Sequence, residues 1–528
     1  MVVERTRGRM VVVLGRVDAQ GSLLETRWVR RHLVTKGSFY ERLALHGDEI
    51  VGDDEFAHMY ADGRGRPSVP PSVMVRAMLC ATHDRTSDRE SARRSRVDLD
   101  WKAAMGVSDE FGGIGATTFS LMRARMIAAD ADGELFTATL AKAVEAGVLK
   151  GKLTAIIDSS PVHGAGAVAD TYELIRGFLR KVVRAAGARL DGAAHAVAAP
   201  FGGGKPDIDW HDPAARKAHL GELITAARRV LGGVEGIDDD AVAEPAGLLR
   251  QVIGQDVELD DDFQPQIRHG VAPDRVISHS DPEMRHGRKS ASRRFDGHKL
   301  DVITDEDSEL ILGVDVRPGN VSDGDGAAAL LTDVHDVAGV EVETLLGDMA
   351  YSDGDVRQAV EAAGADLVAK VPPVSNQGRF PKTAFQVDTE AGSVTCPAGH
   401  TTRDARPSTD HKRRPATLFV FPADVCAVCP LRTGCTTASR GRTIVVGPHH
   451  DRLEAARVAQ HQPDTRALLR RRSKVERKID HLQDLGMRQA RYRGRRRTKL
   501  QALLAATVAN FKRLIVLDAF TPTAAAAA

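Results

Sequence analysis

The stretch LTAIIDSSPVHG, residues 153–164, decides the fold prediction. Its first five residues are mostly apolar and form a run of the length of a buried strand. The run leads straight into Asp158. A carboxylate at such a place is costly unless a partner or a metal ion compensates its charge. The groups that compensate Asp158 must therefore come from elsewhere in the chain.

A second apolar run, VETLLGD (342–348), also closes on an aspartate, Asp348. Between the two runs, HKLDVITD (298–305) and ELILGVDV (309–316) predict a hairpin, and a helix and a short strand follow Asp348. This order predicts a mixed α/β layer. Neighbouring strand ends would bring both aspartates to one rim, where like charges share a proton or hold cations. The alternative for either aspartate alone is a side chain that caps the next turn.

The composition excludes several classes of function. The chain has 528 residues, of which 42% are hydrophobic and 27% charged, as in an ordinary globular protein of roughly two to four domains. No apolar run approaches a membrane span, and the N-terminus does not have the pattern of a secretory signal. Five cysteines in such a chain indicate a reduced, cytosolic protein. GGGKP (202–206) fails as a phosphate-binding loop because Pro206 stands where Ser or Thr is required, so no nucleotide cofactor is expected.

Basic residues are concentrated late in the chain. The net charge is only +1, but fourteen Lys and Arg against three acidic residues lie between Arg466 and Lys499. Such a run is a nucleic-acid-binding surface or simply a solvated helix face.

The cysteines form a second cluster. CPAGH (396–400) and CAVCPLRTGC (426–435) give the spacing C-x29-C-x2-C-x5-C. Four thiolates suit a tetrahedral Zn²⁺ site made by Cys396, Cys426, Cys429 and Cys435, with His400 as a substitute ligand. The alternatives are four unconnected thiols, or a redox pair at 426 and 429. Cys80 lies apart, in an apolar helix.

The order of these features resembles the RNase-H-like catalytic domain of DDE transposases from bacterial insertion sequences. In that family the third carboxylate is a Glu on a late basic helix, within the pattern Y-x2-R-x3-E-x6-K. DTRALLRRRSKVERKIDHLQDLG (464–486) is similar: Arg472 and Glu476 match, whereas Leu469 and Gln483 replace the Tyr and the Lys. Further resemblances cover roughly residues 39–515: FYERLA…GRPSVPPSVMVRAML, HGRKS…GHK (286–299), PGNVSD (318–323), D-x-x-Y (348–351) and the closing helix YRGRRRTKLQALLAATVANFKRL (492–514).

The resemblance implies an α/β fold with an RNase-H-like mixed sheet, a helical N-terminal domain, a helical insertion and a Cys-rich insertion. The expected boundaries are 1–38 for an unassigned leader, 39–150 for the helical DNA-binding domain, 151–371 for the first part of the core with the insertion at about 169–256, 372–447 for the Cys-rich insertion, 448–515 for the second part of the core, and 516–528 for a tail.

The resemblance also implies a function. Asp158, Asp348 and Glu476 would hold two Mg²⁺ ions, for which Mn²⁺ can substitute, and would cut the ends of the element and join them to target DNA. The expected DNA contacts are Lys289, Lys299, Tyr351, Arg472, Arg495, Arg496 and Arg497. The expected partners are double-stranded DNA and further copies of the chain, as a homodimer or a higher synaptic complex, in the cytoplasm at the nucleoid. Two alternatives stay open: a catalytically silent DNA-binding regulator, and a nuclease of the same fold that only hydrolyses.

Overall fold

The computed structural model describes residues 12–14, 34–60, 66–204, 206–289 and 292–520. Most of the predicted leader, Ser290 of the HGRKS motif and the end of the tail lie outside these ranges. The short strands β1 (Val12–Val13) and β2 (Arg66–Pro67) pair in parallel.

The N-terminal part is helical. Its helices are α1 (Phe39–His46), α2 (Pro71–Asp84), α3 (Asp88–Val97), α4 (Leu99–Met105), α5 (Ala116–Ala128) and α6 (Glu134–Glu145). Helix α2 starts with Pro71, whose fixed φ suits the first turn, and it is buried from Pro71 to Cys80. These helices share one hydrophobic core with the central sheet, so the N-terminal part is packed onto the sheet.

Strand β3 (Lys152–His163) opens the sheet and is followed by a helical insertion. The insertion consists of α7 (Thr171–Ala186), α8 (Gly192–Ala198), α9 (Pro213–Gly233), α10 (Asp240–Asp256) and the hairpin of β4 (Val257–Leu259) and β5 (Pro265–Ile267). Its apolar residues form a core of their own.

The chain then completes the sheet with β6 (Arg285–Arg288), β7 (Arg294–Asp305), β8 (Ile311–Pro318), α11 (Ala327–Ala338), β9 (Glu341–Leu346), α12 (Gly354–Ala362) and β10 (Asp366–Val368). The strand order is β10-β9-β3-β7, and β6 and β8 both pair with the far side of β7. Strands β9 and β10 run parallel to each other and to β3, whereas β7 is antiparallel to β3 and β8. The predicted hairpin is the β7–β8 pair.

The Cys-rich segment has short strands and its own small core. The elements are β11 (Gln386–Asp388), β12 (Ser393–Thr395), β13 (Thr401–Thr402), β14 (Ala405–Thr409), β15 (Pro415–Val420), α13 (Ala423–Ala427), α14 (Arg432–Cys435) and β16 (Thr443–Val446). Strands β11–β13 form one antiparallel three-stranded sheet, and strands β14–β16 form another.

The last helices are α15 (His450–Ala459), α16 (Pro463–Arg471), α17 (Ser473–Leu482) and α18 (Arg495–Val516). Helix α18 is buried along most of its length between the N-terminal helices and β8. Its Asn510 amide accepts from Ile311 N–H and donates to Ile311 C=O, both at 2.8 Å, which satisfies the backbone at the start of β8.

The prediction of a mixed α/β fold with an RNase-H-like sheet and a helical N-terminal region is confirmed: about half of the chain is helical, and the sheet is mixed and curled. Two details differ from the prediction. Strand β3 does not end at Asp158, because β7 pairs with it through His163. The single late helix is interrupted at Arg472. No helix in the described part of the chain is long and apolar enough to cross a membrane.

Candidate active site

The register of the parallel strands β3 and β9 places Asp158 beside Asp348. Ile156 pairs with Leu346, and each aspartate lies two residues further along in the same direction. The two carboxylates interact, since the charge of Asp348 is among the causes that raise the pKa of Asp158. Both aspartates therefore lie at the edge of the sheet where β9 ends, although β3 itself continues past Asp158.

Asp348 also caps the turn that follows it. Its Oδ1 accepts the N–H of Ala350 at 2.8 Å, at the start of a short 3₁₀ helix. Gly347 makes this turn possible, because a Cβ there would lie 2.9 Å from the Cβ of Tyr351. Asp348 therefore caps a turn, which was the alternative from the sequence, and also lies close to Asp158.

Asp158 is held in a mostly buried position. Its side chain is 19% exposed, its Oδ1 accepts the N–H of Ser159 at 2.8 Å, and its Oδ2 faces Nη1 of Arg472 at 3.2 Å. Burial, aided by the charge of Asp348, raises the pKa of Asp158 to about 6, against the opposing effects of the Ser159 N–H and Arg472. A neighbouring cation would stabilise the ionised form of such a carboxylate.

Glu476 lies on α17, which packs against β3 and β7. One turn earlier, Arg472 donates from Nη2 to Glu476 Oε1 at 2.7 Å while its Nη1 faces Asp158. The guanidinium therefore bridges Asp158 and Glu476 and ties the helix to the sheet. Glu476 itself is 54% exposed and open to a ligand.

Tyr351 lies behind the two aspartates. Its ring is fully buried, and its hydroxyl has no hydrogen-bond partner among the described residues. Burial and the charges of nearby aspartates raise the pKa of Tyr351 well above its usual value. The sequence predicted a DNA contact at Tyr351, whereas the structure places the phenol in the interior. An unpaired buried hydroxyl beside carboxylates is typical of a site that takes a further ligand.

This donor set fits divalent cations. Mg²⁺ prefers oxygen ligands, and Asp158 and Asp348 supply carboxylates at one edge with Glu476 on the facing helix. Within the described ranges, however, no group of three or more His, Cys, Asp or Glu side chains is arranged to hold a metal ion. At the acidic site the guanidinium of Arg472 lies between Asp158 and Glu476 and contacts both.

The other predicted DNA contacts fall into two groups. Lys289, at the β6–β7 turn, and Arg497, on α18, are exposed. Lys299 is 7% exposed and its Nζ pairs with Asp323. Arg495 pairs with Glu283 at 3.1 Å, and Arg496 pairs with Asp130 and Asp132.

Part of the late basic run docks its helices onto the hairpin. Arg471 and Lys474 pair with Glu306, and Arg477 and Lys478 pair with Glu309, both in the β7–β8 turn. Glu306 is 3% exposed, so its two cations compensate a buried charge. These basic residues have a structural role beside any contact with DNA.

The cysteines predicted to bind zinc line one small cavity together with His400. Cys396 and His400 close a tight turn, in which Cys396 N–H donates to His400 C=O at 2.8 Å and Gly399 has a φ of 83°. Burial raises the pKa of the Cys435 thiol, and the other thiols act in the same direction. The thiols converge without forming a complete ligand set. Cys80, by contrast, is fully buried in α2.

Several residues near Asp158 escaped the sequence analysis. Ser159 and Ser160 lie within β3. Ser159 Oγ donates to Asp323 at 2.8 Å, and Gln483 donates to Ser160 Oγ at 2.9 Å. The only sequence signal was that Asp323 closes PGNVSD and that Gln483 takes the Lys position of the late helix.

Two models of known families match parts of the chain. The family model described as "Transposase DDE domain" matches residues 395–515, and the one described as "Transposase domain (DUF772)" matches residues 29–125. The two matches cover separate parts of the chain, and together they indicate similarity to DDE-type transposases of insertion elements. No curated protein and no solved structure matches the chain.

Proposed function

We propose that this DDE-type transposase cuts DNA at the ends of its insertion element and joins the released ends to target DNA. The observation that supports this most is the placement of Asp158 beside Asp348 at the sheet edge, with Glu476 on a helix that faces them. The family matches support a transposase but do not identify the reacting residues.

Asp158, Asp348 and Glu476 would hold Mg²⁺, or Mn²⁺ in its place. Bound divalent cations supply Lewis acidity to a phosphodiester and lower the pKa of water. The chain itself fixes two carboxylates by strand register and brings the third on α17. Arg472 compensates the charges of Asp158 and Glu476, and its guanidinium would also suit a DNA phosphate.

Double-stranded DNA would approach from the side of α17. The exposed Lys289 and Arg497 are the predicted contacts best placed for phosphates, which position DNA without reading its sequence. A homodimer or larger complex on the two element ends belongs to the same proposal.

A strand-transfer assay tests the function. The protein is incubated with Mg²⁺, duplex oligonucleotides that carry the element's end sequences, and a supercoiled target plasmid. Nicking at the element end followed by covalent joining to the plasmid is expected. Nicking without joining would favour a nuclease, and binding without nicking would favour a silent regulator; either result contradicts the proposal.

We also propose a structural Zn²⁺ held by Cys396, Cys426, Cys429 and Cys435. The core of the Cys-rich segment is small, with Phe385, Val394, Phe419, Phe421, Ile444 and Val446 as its buried apolar residues. Cores of this size usually need a metal or disulfides for stability. Three of the cysteines pack against this core, and all four line the adjoining cavity. A thiolate site there would supply folding energy to the segment that leads into α15–α17.

A further inference from the structure

Side-chain hydrogen bonds on both faces of the sheet hold the segment of β3 that carries Asp158. Successive side chains of a strand point to opposite faces. Accordingly, Ser160 receives a hydrogen bond from Gln483 at 2.9 Å on the α17 side, whereas Ser159 donates to Asp323 at 2.8 Å on the other side. The residues directly after Asp158 are thus fixed by side chains that lie far away in the sequence.

Asp323 is itself held rigidly. Lys299, which is almost fully buried, pairs with its carboxylate and donates to Val321 C=O at 2.7 Å. Arg317 donates to the carbonyls of Ser322 and Asp323, both at 2.9 Å. Two buried cations therefore fix the loop that presents Asp323 to Ser159.

The orientation of Asp158 depends on the contacts that hold Ser159. Its Oδ1 accepts the N–H of Ser159, so the conformation of Ser159 determines where the carboxylate points. Groups that orient a metal ligand commonly change metal affinity or activity by about 10- to 100-fold when they are removed.

We propose that Asp323, held by Lys299, is a positioning residue that orients Asp158 through the Ser159 hydroxyl. The proposal rests on the proposed function, since it takes Asp158 as a ligand of divalent cations. Asp323 acts through Ser159 and does not touch the DNA.

The test measures Mn²⁺ binding to the full chain by electron paramagnetic resonance, without DNA, in Ser159→Ala, Ser159→Thr and Asp323→Asn. Ser159→Ala and Asp323→Asn should each weaken Mn²⁺ binding by about 10- to 100-fold. Ser159→Thr keeps a hydroxyl and should stay within about twofold of wild type. Binding to duplex DNA in EDTA should stay the same in all three.

Asp315→Asn is the matched control. Asp315 lies on β8, is 33% exposed against 30% for Asp323, and pairs with Lys499 at 3.1 Å. The Asp315→Asn variant should leave Mn²⁺ binding unchanged. Wild-type Mn²⁺ affinity in Ser159→Ala and Asp323→Asn, or an equal loss in Asp315→Asn, would overturn the positioning role. Neither result would affect the proposed function, which is tested by cleavage and joining in the wild-type chain.

Discussion

At the scale of single residues, Asp158 explains why the site needs a cation. The carboxylate is buried next to a second carboxylate, and its ionised form is stabilised by Arg472 and the Ser159 N–H. The sequence could predict that Asp158 is a buried charge in need of compensation, because an apolar run that leads into Asp158 implies burial. It could not predict Arg472 as the compensating cation, since the two residues are 314 positions apart.

The raised pKa of Asp158 has a measurable consequence for stability. A carboxyl whose pKa rises on folding favours the protonated form, so ionisation costs stability as the pH rises from about 4 to about 6. The neutral Asp158→Asn should unfold at the same temperature as wild type near pH 4 in EDTA. At pH 8 it should be more stable, by at most about 3 kcal/mol for a shift of roughly two units.

Thermal unfolding followed by circular dichroism at both pH values measures this difference. A variant that is less stable than wild type at pH 8, or a difference that does not change with pH, would contradict the assignment of Asp158 as a destabilised carboxylate.

At the scale of elements, the sequence predicts best where apolar runs are continuous. β3 and β9 were evident as buried strands, and the β7–β8 hairpin from its two runs and the turn between them. The extension of β3 through Ser159 and Ser160 was not evident, because polar residues continue a strand only when a partner such as β7 pairs with them.

The Cys-rich segment carries a prediction at this scale. Purified under reducing conditions, the chain should contain about one zinc per molecule, measured by elemental analysis. Cys429→Ser should lower the zinc content and the yield of soluble protein more than Cys80→Ser, which changes a buried thiol in α2. Protein free of bound metal, or equal losses in both variants, would exclude the zinc site.

At the scale of the whole molecule, the N-terminal helices and the sheet share one core, so the predicted DNA-binding domain is firmly packed. Arg496 and Arg497 on α18 are both exposed, but Arg496 pairs with Asp130 and Asp132 across this contact. The sequence could count these arginines but could not show that Arg496 pairs with acidic residues, because its partners lie about 360 residues earlier.

This difference predicts different responses to salt. Arg497→Ala should weaken binding to element ends and to random duplex by similar factors. It should also flatten the slope of log K against log salt by about 0.9, the loss of one phosphate contact. Arg496→Ala should change the slope less. Fluorescence anisotropy over a salt series measures both; an equal change in the two variants would show that Arg496 leaves its acidic partners to bind DNA.

DNA cleavage by Asp158→Asn, Asp348→Asn and Glu476→Gln tests whether these three carboxylates form the active site. Each change keeps the size of the side chain and removes one anionic ligand. With Mg²⁺ and an element-end duplex, each variant should lose nicking while its gel shift in EDTA matches wild type. Near-normal nicking by any of the three would contradict the account and remove that carboxylate from the active site.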